Sequence, residues 1–254
     1  MVNETIRNLL RAHPILAGVG DDGIAAIIAA GVIKHYRAED VLTREGDKAW
    51  AYWFLVVGHT RVFYTSPEGL TVTVKLFAAP AAWAEMQVLH DWVHTEHCVA
   101  EDDVTCVCLP KLAFERLLEA HPRFMKNVLV DAGARFLITA QHERALAFLK
   151  VPQRLAYLLL SYVRLHGEDV DGGVLIRHRL SQEELANGLG VARKSVVRAF
   201  TDWIDAGVLT KRGAYYVVAD IERLREDAPE DVLGIDWVAG GRLADGVGAR
   251  RRQR

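Results

Sequence analysis

Apolar positions change period twice along this chain, and the changes divide it. Across Asn3–Ala30 they recur at helical spacing, first Ile6, Leu9 and Leu10, then Ile24, Ile27 and Ile28. This predicts two short amphipathic helices, the second started by Asp21-Asp22. From Val32 to Leu109 the pattern is one of strands. Ala51–Val57, Thr60–Thr65, Leu70–Phe77, His94–Ala100 and Val104–Leu109 are short and rich in Val, Thr and aromatics. Turn chemistry at Gly46, Gly58 and Gly69 separates the earlier ones, which predicts a small barrel or roll. From Leu112 the helical period returns. Phe124, Val128, Phe136 and Ala140, with Ala132 and Gly133 between them, mark one long helix. A helix of about 30 residues spans roughly 45 Å, more than one small domain covers. Such a stripe is expected to pair with a second copy of itself. Val151-Pro152 is expected to break the helix, since proline lacks the amide donor and restricts its predecessor.

The most informative stretch follows the break: Leu180–Thr201, LSQEELANGLGVARKSVVRAFT. Ser181 and Glu184 form a capping box that starts a helix. Leu185 and Ala186 face inward, and Gly190 stands where a sharp turn between helices needs positive φ. Val196 and Ala199 supply the inner side of a second helix, completing a helix-turn-helix pattern. Arg193, Lys194, Ser195 and Arg198 then project outward. Arginine matches the O6 and N7 acceptors of guanine, and serine and lysine suit phosphates or bases. Beyond Gly207-Val208-Leu209, a strand, a tight turn and a second strand predict a two-stranded wing, with Lys211 and Arg212 placed to meet phosphates.

Composition narrows the picture further. The chain has 254 residues, 51% of them apolar, and a net charge of −2. A core is easily filled, and any nucleic-acid reader must concentrate its cations on one small face. No stretch reaches the length of a membrane span and the N-terminus lacks a secretory core, so a soluble cytoplasmic protein is expected. No nucleophile motif, phosphate loop or metal-ligand spacing suggests an enzyme. Cys98, Cys106 and Cys108 lie close together without zinc spacing, and buried thiols are expected. Trp53, Trp83 and Trp92 are expected to fill the roll. The last stretch, with Gly240-Gly241 and Arg250-Arg251-Arg252-Gln253-Arg254, predicts a flexible tail with a basic tip.

The order of these parts resembles the CRP/FNR family of bacterial regulators. The resemblance rests on Arg44-Glu45-Gly46-Asp47, Val57-Gly58, Trp83-Ala84-Glu85-Met86 and LSQEELANGLGVARKSVVR. It implies an α+β chain with four parts. A double-stranded β-helix (jelly-roll-like) sensor domain occupies residues 1–111 and a dimerisation helix region 112–150. A winged helix-turn-helix occupies 151–227, and the tail 228–254. Its implied partners are double-stranded DNA, a second copy, RNA polymerase and a small-molecule effector. DNA-contacting residues would be Ser181, Arg193, Lys194, Ser195, Arg198, Lys211 and Arg212. An effector would lie among Trp83, Ala84, Glu85, His94, Thr95, Arg135 and Thr139.

Departures from the pattern bear on that effector. Cyclic-nucleotide binders of the family carry Gly-Glu followed by Arg-Ser; here Ala84-Glu85 and His94-Thr95 stand in those places, and Ala140 replaces an expected serine. Losing the arginine removes the charge-assisted contact to phosphate, so cyclic AMP is not expected. An iron–sulfur centre needs about four thiolates, and no cysteine precedes Cys98. The cofactor is therefore unknown. A haem held by His90, His94, His97 or Cys98 is one alternative, and a constitutive DNA binder with a degenerate pocket is another. Lys194, where the family often has glutamate, implies an altered operator.

Overall fold

The run Ala51–Val57 has no polar position, and a strand of that kind needs cover on both faces. In the computed structural model, which describes residues 2–67, 69, 71–228 and 238–239, all but Val57 of this run are buried. Two compact units are present. One holds residues up to 64, residues 75–136 and Val238–Ala239; the other holds residues 65–74 and 137–228.

The first unit begins with α1 (Val2–Arg11), a 3-10 turn (Pro14–Leu16) and α2 (Asp21–Ala30). Strands β1 (Val32–Tyr36), β2 (Val41–Thr43), β3 (Ala51–Val57), β4 (His59–Thr65), β5 (Thr71–Ala78) and β6 (Ala81–Trp83) follow. Then come α3 (Glu85–Leu89), β7 (His97–Ala100), β8 (Val104–Pro110), α4 (Lys111–Ala120) and α5 (Pro122–Phe148), the last of which runs on into the second unit. One sheet has the order β1-β8-β3-β6. On its outer side Tyr52 and Phe54 meet helical side chains, with Tyr52 stacked on Phe114 at 4.4 Å and Phe54 on Phe124 at 6.3 Å. On its inner side Trp53 stacks on Trp83 at 5.7 Å. Trp83 in turn stacks at 5.2 Å on Phe77 of β5, from the second sheet of the roll. Alternation along one strand thus serves helices on one face and the roll interior on the other. Trp92, in contrast to Trp53 and Trp83, does not join this core. It is exposed and stacks on His90 at 4.6 Å, because the turn after α3 carries it outward.

In the second unit Pro152 does not act as a bare break. The long helix ends at Phe148, and α6 (Val151–His166) starts with Pro152 in its first turn, where a missing amide donor costs nothing. The Lys150 amide donates to Gln153 Oε1 at 3.0 Å, tying that start. β9 (Gly167–Val170) and β10 (Gly173–Ile176) form a hairpin, followed by α7 (Gln182–Leu189) and α8 (Arg193–Asp205). β11 (Leu209–Arg212) and β12 (Tyr215–Val218) precede α9 (Ile221–Asp227). The wing is wider than its own hairpin: β12 also pairs with β10, giving the order β11-β12-β10-β9.

The tail departs from the expectation at one place. Val238–Ala239 form β13, paired in parallel with Leu76 and Phe77 of β5. Ala228 is buried at the tail's start, and residues 229–237 and 240–254, Arg250–Arg254 included, lie outside the described residues. No helix among the described residues is long and apolar enough to cross a membrane.

His13 ties the N-terminal helices to the roll. Its Nε2 lies 3.0 Å from the Ala81 carbonyl and its Nδ1 accepts from the Ile15 amide at 3.3 Å, which is the neutral tautomer. Burial lowers its pKa from 6.5 to about 4, against the opposing pull of the Ala81 carbonyl. The unfolded chain takes up this proton first, so His13's contribution is complete above pH 6.5 and is lost as pH falls towards 4. We expect roughly 3 kcal/mol of roll stability to disappear over that window. Unfolding titrations at several pH values check this: His13→Gln should flatten the slope, and an unchanged slope would contradict the assignment.

Candidate DNA-reading face and effector site

Both helices of the reader are set by local chemistry. The Ser181 hydroxyl accepts from the Glu184 amide at 3.0 Å, and Glu184 Oε2 accepts from the Ser181 amide at 3.3 Å. Ser181 is therefore fully used as a cap, and any contact to a ligand is additional to that role. Gly190 takes φ 61°, ending α7, and the Val191 amide donates to the Ala186 carbonyl at 2.9 Å. Leu185, Ala186 and Leu189 of α7 and Val196, Ala199, Phe200 and Trp203 of α8 are buried. Arg154 on α6 donates to the Leu189 carbonyl at 3.0 Å, holding the turn against its scaffold.

The start of α8 is different. Its N-cap is Ala192, which supplies no side-chain cap, and its first turn contains no acidic residue. It carries Arg193 and Lys194, both exposed, then Ser195, half-buried, and Arg198, exposed. Cations at a helix N-terminus oppose the macrodipole, at about 0.3–1 kcal/mol each. An anion approaching the amides of this turn, which lack a side-chain cap, relieves that opposition. Glu183 of α7 lies 3.6 Å from Arg193, holding its guanidinium in an exposed pair. Lys211 and Arg212 are exposed at the end of β11, next to the Gly213 turn.

The expected effector residues fall into three groups. Trp83 belongs to the aromatic stack of the roll. Ala84 is the N-cap of α3 and holds φ 77°, a left-handed conformation that favours glycine, so its methyl group stands at a strained corner. Glu85 is buried and paired with Arg135 of α5, which also holds Asp131 and donates to the Ala82 carbonyl at 2.9 Å. Burial, with Glu85 nearby, pushes the Tyr52 hydroxyl well above its ordinary pKa, while Arg135 opposes the shift. Tyr52 Oη and Glu85 Oε2 are both buried with no hydrogen-bond partner among the described residues.

His94 and Thr95 make their contacts elsewhere. His94 is buried and bonds through its backbone to Gly46 and Asp47, and burial lowers its pKa despite Glu96 and Asp47. Thr95 is exposed and donates to Glu96 Oε2 at 2.9 Å. Thr139 is exposed and lies in the second unit. Three residues not singled out from the sequence form a further polar group: Glu96 accepts from Lys75 Nζ at 3.1 Å and from Tyr64 at 3.5 Å. Asp131 was also missed, although its i, i+4 spacing to Arg135 was available.

The residues expected to hold a haem have other neighbours. His90 stacks on exposed Trp92, whereas His97 stacks on Phe63 at 5.2 Å and lies 3.7 Å from Glu45. Cys98 is buried and its thiol is pushed up to about 12 by burial, with Thr60 opposing, so it stays protonated and is a poor iron ligand.

Two family models match the chain: the cyclic nucleotide-binding domain over residues 33–121 and the Crp-like helix-turn-helix domain over 153–227. A CRP-like cAMP-activated global transcriptional regulator of Mycobacterium tuberculosis is 22% identical over 220 residues, covering 87% of this chain and 98% of that protein. The chain belongs to the CRP/FNR family.

Solved CRP/FNR-type structures share its fold. The c-di-GMP-responsive global regulator CLP of Xanthomonas campestris superposes with a TM-score of 0.69 at 19% identity, covering 79% of this chain and 100% of that one. FixK2 of Bradyrhizobium japonicum gives 0.65 at 17% identity, covering 78% and 98%. The chain is a CRP/FNR-type DNA-binding transcription regulator with an effector-binding domain. In that domain the Glu85–Arg135 pair is the feature whose loss should be felt most. Arg135→Met leaves a carboxylate buried without its cation and should lower roll stability by about 3–5 kcal/mol. Adding Glu85→Gln to the same chain should recover most of that loss. Denaturant unfolding of the three variants decides; a double variant no better than the single would contradict the coupling.

Proposed function

We propose that two copies of this chain pair through α5 and read a two-fold-symmetric DNA site, under the control of an effector that is not cyclic AMP. The observation that carries the DNA reading is the uncapped, cationic start of α8, an arrangement that weakens the isolated helix and suits a polyanion. Arg193, Lys194, Ser195 and Arg198 are the base and phosphate readers, Lys211 and Arg212 the phosphate contacts of the wing, and Ser181 fixes the start of α7. Pairing is supported by apolar residues that α5 leaves open: Leu129 and Phe136, seven residues apart, are 72% and 73% exposed. Gly133 between them faces open space, so a second backbone can approach closely. Two recognition helices related by a two-fold axis require half-sites about one DNA turn apart. RNA polymerase is the expected partner once the dimer is on DNA.

Electrostatics support the effector reading. Arg135 is already balanced by two carboxylates, His94 is held neutral by burial, and the residue after Thr95 is Glu96, which is itself paired with Lys75. A phosphate approaching Arg135 meets a cation already balanced by Glu85 and Asp131. An uncharged or cationic effector could instead use the buried Tyr52 hydroxyl and Glu85 Oε2.

Selection of binding sites from random DNA tests the reading. A palindrome with half-sites one turn apart is expected. Arg198→Ala should weaken binding to it by about ten-fold or more and relax preference at one position per half-site. Lys211→Ala should instead weaken all sequences alike and reduce the salt slope by about one. Phe136→Arg should reduce the dimer in sedimentation and DNA affinity with it. Selection that returns no enriched sequence, or undiminished binding by Arg198→Ala, would overturn the proposal.

A further inference from the structure

The five-stranded sheet of the roll has the order β13-β5-β4-β7-β2, so β5 would be its edge without β13. An uncovered edge presents unpaired amides and carbonyls and invites another strand. The strand that covers it lies beyond the end of the family's reader model at residue 227. Val238 pairs with Leu76 and Ala239 with Phe77, in parallel. The sequence around them, Gly234-Ile235-Asp236-Trp237-Val238-Ala239-Gly240-Gly241, places β-prone residues between glycines, as a short strand requires. Leu76 and Phe77 are buried, and Phe77 stacks on Trp83, the residue that leads into Ala84 and Glu85.

We propose that Val238–Ala239 serve as a built-in edge strand for the roll, seated on β5 and closing that edge to strands from other molecules. The occupant is this chain's own segment. Parallel pairing demands a long connection between the strands, which the whole reader domain supplies. Ala239 pairs with Phe77, whose ring stacks on Trp83 in the roll interior.

Hydrogen exchange on the DNA-free protein tests this independently of the function proposed above. The full chain is compared with a chain stopped after Ala228 and with a full-length Val238→Pro, Ala239→Pro variant, in which neither residue can donate. The amides of Leu76–Ala78 that point away from β4 should exchange about ten-fold faster in both altered chains, with β4 and β8 unchanged. A synthetic peptide of residues 232–241 added to the truncated chain should restore protection. The double-proline variant decides the matter if the truncated chain does not fold. Equal exchange in the full and altered chains would overturn the proposal. So would protection that vanishes on dilution, because the strand would then come from a second copy.

Discussion

A carboxylate cannot stay ionised in a protein interior unless a cation and hydrogen bonds replace the water it loses. Glu85 is in that position, and Arg135 answers it. The pair joins the start of α3 to α5 within one unit, and the Arg135 donation to Ala82 adds a backbone anchor on β6. Ala84 endures a left-handed backbone immediately before the carboxylate. The aromatic stack Phe77–Trp83–Trp53 runs up to the same corner. A ligand that alters the pair must therefore act on the helix proposed to hold two copies together. A population shift between two arrangements of that helix is the form such control takes.

The reader domain follows a different economy. Its scaffold is satisfied locally: Ser181 caps α7, Gly190 turns the chain, and Arg154 braces the turn. The four-stranded sheet beneath the wing fixes β11 and β12 by pairing β12 with β10. Stability is surrendered at the first turn of α8, where cations face a helix start without a side-chain cap. Local conflict inside an otherwise consistent scaffold is the mark of a binding surface.

Much of this was legible in the residues because the signals were local. The apolar run of β3 and the capping box of α7 state their structures within a few positions, and the helix-turn-helix follows from spacing alone. Pro152 was legible as punctuation but not as to which side it serves; proline suits the first turn of a helix as well as the end of one. The β9–β10 hairpin was hidden because Gly167-Glu168-Asp169 is exposed and offers no apolar alternation, and the pairing of β10 with β12 is long-range. The contacts of His94-Thr95 were not legible from their position in a motif. The resemblance set them with Glu85; the backbone of His94 bonds to Gly46 and Asp47, and the neighbouring Glu96 gathers Lys75 and Tyr64 from other strands. No pattern within the tail could announce that β5 would accept Val238–Ala239, since an edge strand is defined by its partner.

The central claim is that this roll has been closed to nucleotide phosphate by its own charges. Calorimetric titration of cyclic AMP into the purified, DNA-free protein tests that most directly. The account predicts no saturable heat up to about 1 mM, the concentration at which binding is worth only about 4 kcal/mol. Saturable binding in the micromolar range would contradict it, and would mean that Arg135 leaves Glu85 and Asp131 to meet the phosphate.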